Sequence, residues 1–313
     1  MKKSKLRLVL KIVGALGIAF WLVCCFLGLF YASDGNSLVA FPVTFFIGVL
    51  LFLSYFLMMR FQDKDTRQGN AKNAKTQELV FLAVYFVVMV CSAYYVNHIV
   101  RVETKLKAEV RDKAIGAIDE LTTIFDTDLD HNDNDSYRKY VSKQVDIYKT
   151  RLQAENSNVE QSSVVNFRNY MLGLDEYSYA ENNYSNLEME VNKKLDLIDK
   201  SVTLWNLFSV LPSLHDLETN KLIWENKVEE YSKAKKNEEY PFVEPFECKS
   251  KYYDCTNLTE PLTHATFQFS GTAVLIIVVL QIVILLAYLL FAQWPQKNSR
   301  PKLDDGMRTW KKE

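Results

Sequence analysis

Glycine, proline, cysteine and histidine are all scarce in this chain of 313 residues, which has 10, 7, 5 and 4 of them respectively. Little glycine and no alternating apolar pattern argue against β-structure. So few cysteines cannot form the framework of a disulfide-rich scaffold. The histidines are scattered, with no pair at the spacing of metal ligands. A helical fold is therefore expected.

Motifs that carry catalysis are also missing from the sequence. We find no nucleophile motif, no paired catalytic carboxylates, no phosphate-binding loop and no zinc signature. Four long apolar stretches, described next, divide the chain. Of the polar segments between and after them, only residues 102–270 are long enough to bury a core. We therefore expect no enzyme activity, no catalytic residues, no cofactor and no nucleic-acid partner.

Charged residues are absent from four long apolar stretches. Each stretch has about 20 residues, which at about 1.5 Å per residue matches the hydrocarbon core of a bilayer. The sequence thus predicts an all-α integral membrane protein with four transmembrane helices. The predicted spans are Ile12–Tyr31, Leu38–Met59, Leu79–Val100 and Thr272–Ala292.

Clusters of basic residues flank these spans mainly on one side. Lysines and arginines cluster before the first span, between the second and third, and after the fourth, whereas Ala32–Ser37 has none. Because such clusters stay in the cytoplasm, both termini are predicted to be cytoplasmic. The Lys/Asn/Tyr-rich composition and the Met-Lys-Lys start favour a bacterial inner membrane. We read the first span as an uncleaved anchor, since it is longer than a typical signal-peptide core.

Residues 102–270, between the third and fourth spans, are predicted to form an extracytoplasmic domain, with residues 1–101 and 271–313 forming the membrane part. The segment has more acidic than basic residues. Its apolar residues recur at helical spacing, which predicts hairpins or a bundle. The third span is expected to continue into it as one helix. A near-heptad stripe from Leu187 to Trp205 suggests a coiled coil, and Ser213 resembles a helix cap.

Two features within these segments are candidate sites. Cys248 and Cys255 lie in the predicted outer segment, where an oxidising compartment favours a disulfide, with free thiols as the alternative. Gln281 lies near the middle of the fourth span. We expect it to bond to a neighbouring helix, with the lining of a permeation path as the alternative. Gly14 and Gly17 offer a small face for close helix packing.

An acidic run places oxygen-bearing side chains at alternate positions, as in a calcium loop. The four candidates are Asp126, Asp128, Asp130 and Asn132. His131 stands where the turn glycine belongs, and Tyr137 where a bidentate glutamate is needed. We interpret the run as a solvated turn and expect no metal site, with weak calcium binding as the alternative.

These observations favour a non-enzymatic membrane protein. Its expected partners are the lipid bilayer and a membrane or envelope protein, which the outer domain binds or scaffolds. A second copy of the chain, forming a homo-oligomer, is an alternative partner. The first alternative is a channel or transporter subunit, although no Asp, Glu, Lys or Arg lies in the spans. The second is a sensor of an extracytoplasmic ligand, which would need a separate effector because the cytoplasmic segments are short.

Overall fold

The computed structural model divides the chain into two compact units, which we describe separately. The first comprises Met1–Arg101 with Thr266–Glu313, and the second Val102–Ala265. The structure describes residues 3–61, 71–126, 136–155, 160–174, 183–248 and 255–292. Within these ranges the regular elements are all helical and there is no strand. The prediction of an all-α fold is confirmed.

Among the residues that the structure describes, the first unit contains four helices that are long and apolar enough to cross a membrane. They are α1 (Lys3–Ala32), α2 (Ser37–Phe61), α3 (Ala71–Arg101) and α10 (Gly271–Ala292). Each contains one predicted span, so the prediction of four helices long and apolar enough to cross a membrane is confirmed. The helices extend beyond the apolar runs because helical hydrogen bonding continues into the polar flanks, as at the start of α3.

Helix α1 packs against all three other helices of this unit. Glycines allow the close approach: a Cβ at Gly28 would lie 2.0 Å from the carbonyl oxygen of Tyr95, and one at Gly17 would lie 2.6 Å from Ile284. A Cβ at Gly14 would collide with the Tyr55 hydroxyl. The predicted small face of α1 is therefore confirmed, and Gly28 extends it.

The surface of this unit is strongly apolar. Phe41, Phe45 and Phe46 of α2 are each more than 60% exposed, at 65%, 64% and 63%. Trp21 and Tyr85, in contrast, are fully buried between the helices. Large apolar side chains therefore lie both in the interior and on the exterior of this unit, as expected of a bundle surrounded by lipid.

The second unit begins where the helix of α3 continues without a break. A π-helical segment, Val102–Leu106, leads directly into α4 (Lys107–Ile124). Continuation of the third helix was predicted, whereas the π segment was not. The predicted stripe of α4 faces the core, since Val110, Ala114 and Leu121 are buried.

Within the described ranges, the second unit has five further helices. They are α5 (Tyr137–Glu155), α6 (Gln161–Leu172), α7 (Tyr184–Thr203), α8 (Val210–Ala234) and the short α9 (Glu260–Thr263). Contacts join α5 to α6 and α7 to α8, and α4 packs against both α7 and α8. The unit therefore combines hairpins with a three-helix core, consistent with the helical packing expected for this segment.

Two details of the second unit differ from the sequence analysis. Helix α8 begins at Val210, so Ser213 is not its cap; the backbone N–H of Val210 already bonds to the carbonyl of Asn206. The stripe of α7 includes the buried Val191 and Leu195 and packs on α4 and α8. A coiled coil therefore gains no support, because the stripe belongs to the core of a bundle.

Candidate functional site

Gln281 of α10 bonds to side chains of α3. The Tyr85 hydroxyl donates to Gln281 Oε1 at 3.1 Å, and Gln281 Nε2 lies 3.4 Å from the sulfur of Met89. Both ends of the amide are thus engaged within the bundle. This is the helix-to-helix contact that the sequence analysis favoured over a permeation path.

A second polar contact joins α1 to α3 close by. The Trp21 indole N–H donates to Ser92 Oγ at 2.9 Å, and Ser92 Oγ donates to the carbonyl of Met89 at 3.1 Å. Trp21 and Tyr85 were not predicted as hydrogen-bond partners from the sequence. The signal was present, since a buried indole or phenol needs a hydrogen-bond partner. The groups in this network are neutral and join helices without supplying a charge.

The two cysteines of the predicted disulfide lie between α8 and α9 and are not joined in the structure. Cys248 and Cys255 are thiols in the structure, and the Cys248 thiol donates to the carbonyl of Glu225 on α8 at 3.6 Å. Cys255 is buried. The predicted disulfide therefore finds no support, because the Cys248 sulfur is directed at the backbone of α8.

A buried ionic cluster lies on the same stretch of α8. The ammonium of Lys221 lies 2.8 Å from Glu120 Oε2 of α4 and 3.4 Å from Glu225 Oε1. The side chains of Lys221 and Glu225 are each only 6% exposed. Buried charges of this kind require partners, so the cluster fixes α4 against α8.

The pKa values in this cluster keep Lys221 and Cys248 protonated at neutral pH. Burial acts to lower the pKa of Lys221, but the hydrogen bond to Glu120 and the charge of Glu225 outweigh it, so its pKa is raised. Burial raises the pKa of Glu225 against the opposing effect of Lys221. Burial, with Glu225 and Glu229, also raises the pKa of Cys248 to about 12. A protonated amine and a protonated thiol are poor nucleophiles at neutral pH.

A second ion pair joins α5 to α7. Arg138 donates from Nε and Nη2 to the two carboxylate oxygens of Glu188, both at 2.6 Å. The Glu188 side chain is 4% exposed, so this bidentate pair is largely shielded from water. Next to it, Asn192 donates to the carbonyl of Phe125 at 3.1 Å. These contacts hold α7 against both α5 and the end of α4.

Aromatic rings fill the space between these polar contacts. The ring of Tyr137 lies 4.2 Å from that of Tyr184 and 5.4 Å from that of Phe246, centroid to centroid. The ammonium of Lys235 lies 4.5 Å from the rings of both Tyr170 and Tyr231. Such cation–π contacts are strongest where water is excluded. The interior of the second unit is therefore occupied by its own side chains.

The metal prediction falls largely outside the described residues. Asp126 follows the end of α4, whereas Asp128, Asp130 and Asn132 lie in the undescribed range 127–135. Among the residues that the structure describes, no group of three His, Cys, Asp or Glu side chains is placed to hold a metal ion. The calcium alternative stays a prediction.

The arrangement is that of a helical protein with an apolar four-helix unit and a second unit held by buried ion pairs. No family model matches the chain, and neither a curated protein nor a solved structure matches it.

Proposed function

We propose that this protein is a non-enzymatic membrane scaffold whose second unit binds a partner protein outside the cytoplasm. The observation that carries the proposal is a separate helical unit, Val102–Ala265, whose helices are joined by buried ion pairs. Its most reactive residue types, Cys248 and Lys221, are both held protonated. That chemistry suits a rigid binding surface better than covalent catalysis.

Rigidity is the property that a scaffold needs most. Buried ion pairs contribute little net stability, but they favour one helix arrangement over others, because an alternative packing leaves a charge unpaired. The pairs Lys221–Glu120 and Arg138–Glu188 each join two different helices. A preorganised surface binds its partner with less loss of conformational entropy.

The proposed partner surface is the solvent-facing side of α7 and α8. Met189, Leu197 and Leu222 on these helices are 64%, 60% and 65% exposed. Met189 and Leu197 lie on the side of α7 opposite its buried stripe, where polar residues are otherwise favoured. Apolar residues on an exposed helix face are typical of interaction surfaces.

The location follows from the basic flanks of the spans. We propose that the termini lie in the cytoplasm of a bacterium and that the second unit lies on the opposite side of its inner membrane. Lysines and arginines near the spans favour the cytoplasmic side, and the segment between the third and fourth spans has an acidic excess.

Replacement of the second unit tests the scaffold directly. Within the first unit, Asn97 Nδ2 donates to the carbonyl of Thr266 at 3.4 Å, so the ends on both sides of the second unit are adjacent. A flexible linker of about six residues, able to reach about 20 Å, can therefore replace residues 103–264. Cross-linking in membranes followed by co-purification should recover a partner with the full chain and lose it with the replaced chain. An identical set of partners for both chains would contradict the proposal.

The sensor alternative is favoured by one specific observation, the π segment Val102–Leu106 between α3 and α4. Such segments are rare and often occur at functional sites. Calcium is the probe to use, given the acidic run. If the protein is a calcium sensor, calcium should change hydrogen exchange in α3, and deletion of Thr104 should abolish that change. Absence of binding heat on titration with calcium would remove this alternative.

A further inference from the structure

The turn between α7 and α8 exposes two large apolar side chains. Leu204 is 78% exposed and Phe208 is 64% exposed, whereas Trp205 between them is only 8% exposed. A turn in contact with water alone would ordinarily carry polar residues at such positions.

Hydrogen bonds hold the turn in one conformation. Trp205 has a φ of 46°, in the left-handed region, and the Asn206 N–H closes the end of α7 by donating to the carbonyl of Ser201 at 3.0 Å. The Phe208 N–H donates to Asn206 Oδ1 at 3.2 Å, and the hydroxyls of Ser201 and Ser209 lie 2.7 Å apart. The exposed side chains are thus presented by a defined backbone.

Contacts within the second unit place this turn at the end where the chain enters and leaves. The ammonium of Lys107 lies 5.7 Å from the ring of Trp205. Lys107 follows the π segment, which contacts α9, and α9 ends two residues before Ala265. Both covalent connections to the apolar helices therefore leave the unit at the end that carries the turn.

The distance along the chain to the apolar helices is short. Arg101, at the end of α3, is six residues before Lys107, and six residues of chain reach at most about 20 Å. The interfacial layer of a bilayer extends several ångströms beyond its hydrocarbon core on each side. Lys107, whose side chain is 32% exposed, is of a residue type that favours this layer, because its apolar stem can lie along the apolar surface while its ammonium reaches water.

We propose that Leu204 and Phe208 insert into the boundary between lipid headgroups and acyl chains, so that the α7–α8 turn is a bilayer-contacting element of the second unit. The inference rests on insertion of the four apolar helices in a membrane and is independent of the partner surface. Apolar side chains that enter this layer bury several ångströms deep. The bilayer is favoured over a protein partner because the turn lies beside the chain's connections to the spans.

Site-specific photo-cross-linking tests this contact. The full-length protein is purified with p-benzoylphenylalanine at position 208, reconstituted in phosphatidylcholine vesicles, irradiated and analysed by mass spectrometry. The matched control places the same probe at position 189, because Met189 has the same 64% exposure but lies near the other end of α7. A probe at position 278, where Val278 of α10 is 48% exposed, verifies insertion.

Lipid adducts at position 208 should exceed those at position 189 several-fold. Leu204→Asp should lower the yield at position 208, since a carboxylate resists burial in the interface, whereas Leu197→Asp on the same helix should leave it unchanged. Equal yields at positions 208 and 189, with adducts formed at position 278, would overturn the inference. Protein dimers cross-linked at position 208 without lipid adducts would overturn it too, because a second copy would then cover the turn. No partner protein is present, so either result leaves the scaffold proposal untouched.

Discussion

The absence of a side chain at Gly28 allows α1 to pack closely against α3. The Gly28 Cα faces the backbone of Tyr95 so closely that a Cβ would lie 2.0 Å from the carbonyl oxygen. Backbone atoms cannot move aside as a flexible side chain can, so one of the two helices would have to shift. In membranes, where helix association depends on close packing, such contacts are decisive.

We predict that Gly28→Ala lowers the stability of the apolar bundle by about 1–3 kcal/mol, the usual cost of overpacking. Thermal unfolding of the full-length protein in detergent measures the change. Gly271→Ala is the matched control, since nothing lies within 4 Å of a Cβ at Gly271. An equal midpoint for Gly28→Ala and wild type would show that α1 and α3 are not packed as described.

Lys221 is the residue on which the ionic cluster of the second unit depends. Its ammonium forms ion pairs with both Glu120 and Glu225, and its side chain is 6% exposed. Loss of this one cation removes an ion pair from each of two carboxylates. Sequence alone gave no indication of this role, because Glu120 lies 101 residues away from Lys221.

We predict that Lys221→Met destabilises the protein by about 3–5 kcal/mol, the range for breaking a buried pair. The control is Lys233→Met on the same helix, whose ion pair with Glu229 is solvent-exposed and should contribute at most about 1 kcal/mol. Thermal unfolding of the full chain in detergent compares the two. Similar losses for both variants would contradict a buried cluster.

The pH dependence of this variant has a definite sign. The pKa of Glu225 is already raised by burial, and removal of Lys221 should raise it further. A raised folded-state pKa contributes stability below the ordinary carboxyl range that is lost as pH rises through the raised pKa. The deficit of Lys221→Met should therefore be smaller at about pH 4.5 than at about pH 7.5. A deficit that does not vary with pH would exclude ionisation of Glu225 as its cause.

At the scale of the helix, periodicity predicted the elements well and their ends poorly. Uncharged runs located all four apolar helices, and stripes located the helices of the second unit, because burial of one face is encoded locally. The predicted start of α8 was wrong. The helix begins at Val210, directly after the turn from α7, and not at Ser213. The π segment requires one additional residue per turn, which the apolar spacing did not reveal.

We predict that the helix cap observed at Asn183 contributes more stability than the cap predicted from sequence at Ser213. The Asn183 side chain accepts from the Ser185 N–H at 2.8 Å and caps α7. Asn183→Ala should therefore cost about 1 kcal/mol. Ser213 lies within α8, so Ser213→Ala should change the stability by less than about 0.5 kcal/mol. Thermal unfolding midpoints of the two variants decide this, and a larger loss for Ser213→Ala would restore the cap predicted from sequence.

At the scale of the whole molecule, the candidate site was less predictable than the fold. Gln281 was identified because a polar side chain is conspicuous in an apolar run, but its partner Tyr85 lies 196 residues away. The ionic cluster involves ordinary surface-type residues that become buried only when α4 meets α8. The disulfide prediction relied on spacing, whereas the Cys248 thiol bonds to the backbone of α8. Contacts distant in sequence are set by packing, which local patterns do not contain.

The scaffold account depends most on which side of the membrane the second unit occupies. In intact cells, a membrane-impermeant maleimide should label Lys149→Cys, since Lys149 is exposed on α5. Wild type is the control, because its thiol at Cys248 is partly buried with a raised pKa and should react slowly. A tag after Glu313 should resist external protease until the cells are opened. Labelling of Lys149→Cys only after the cells are opened would contradict the account.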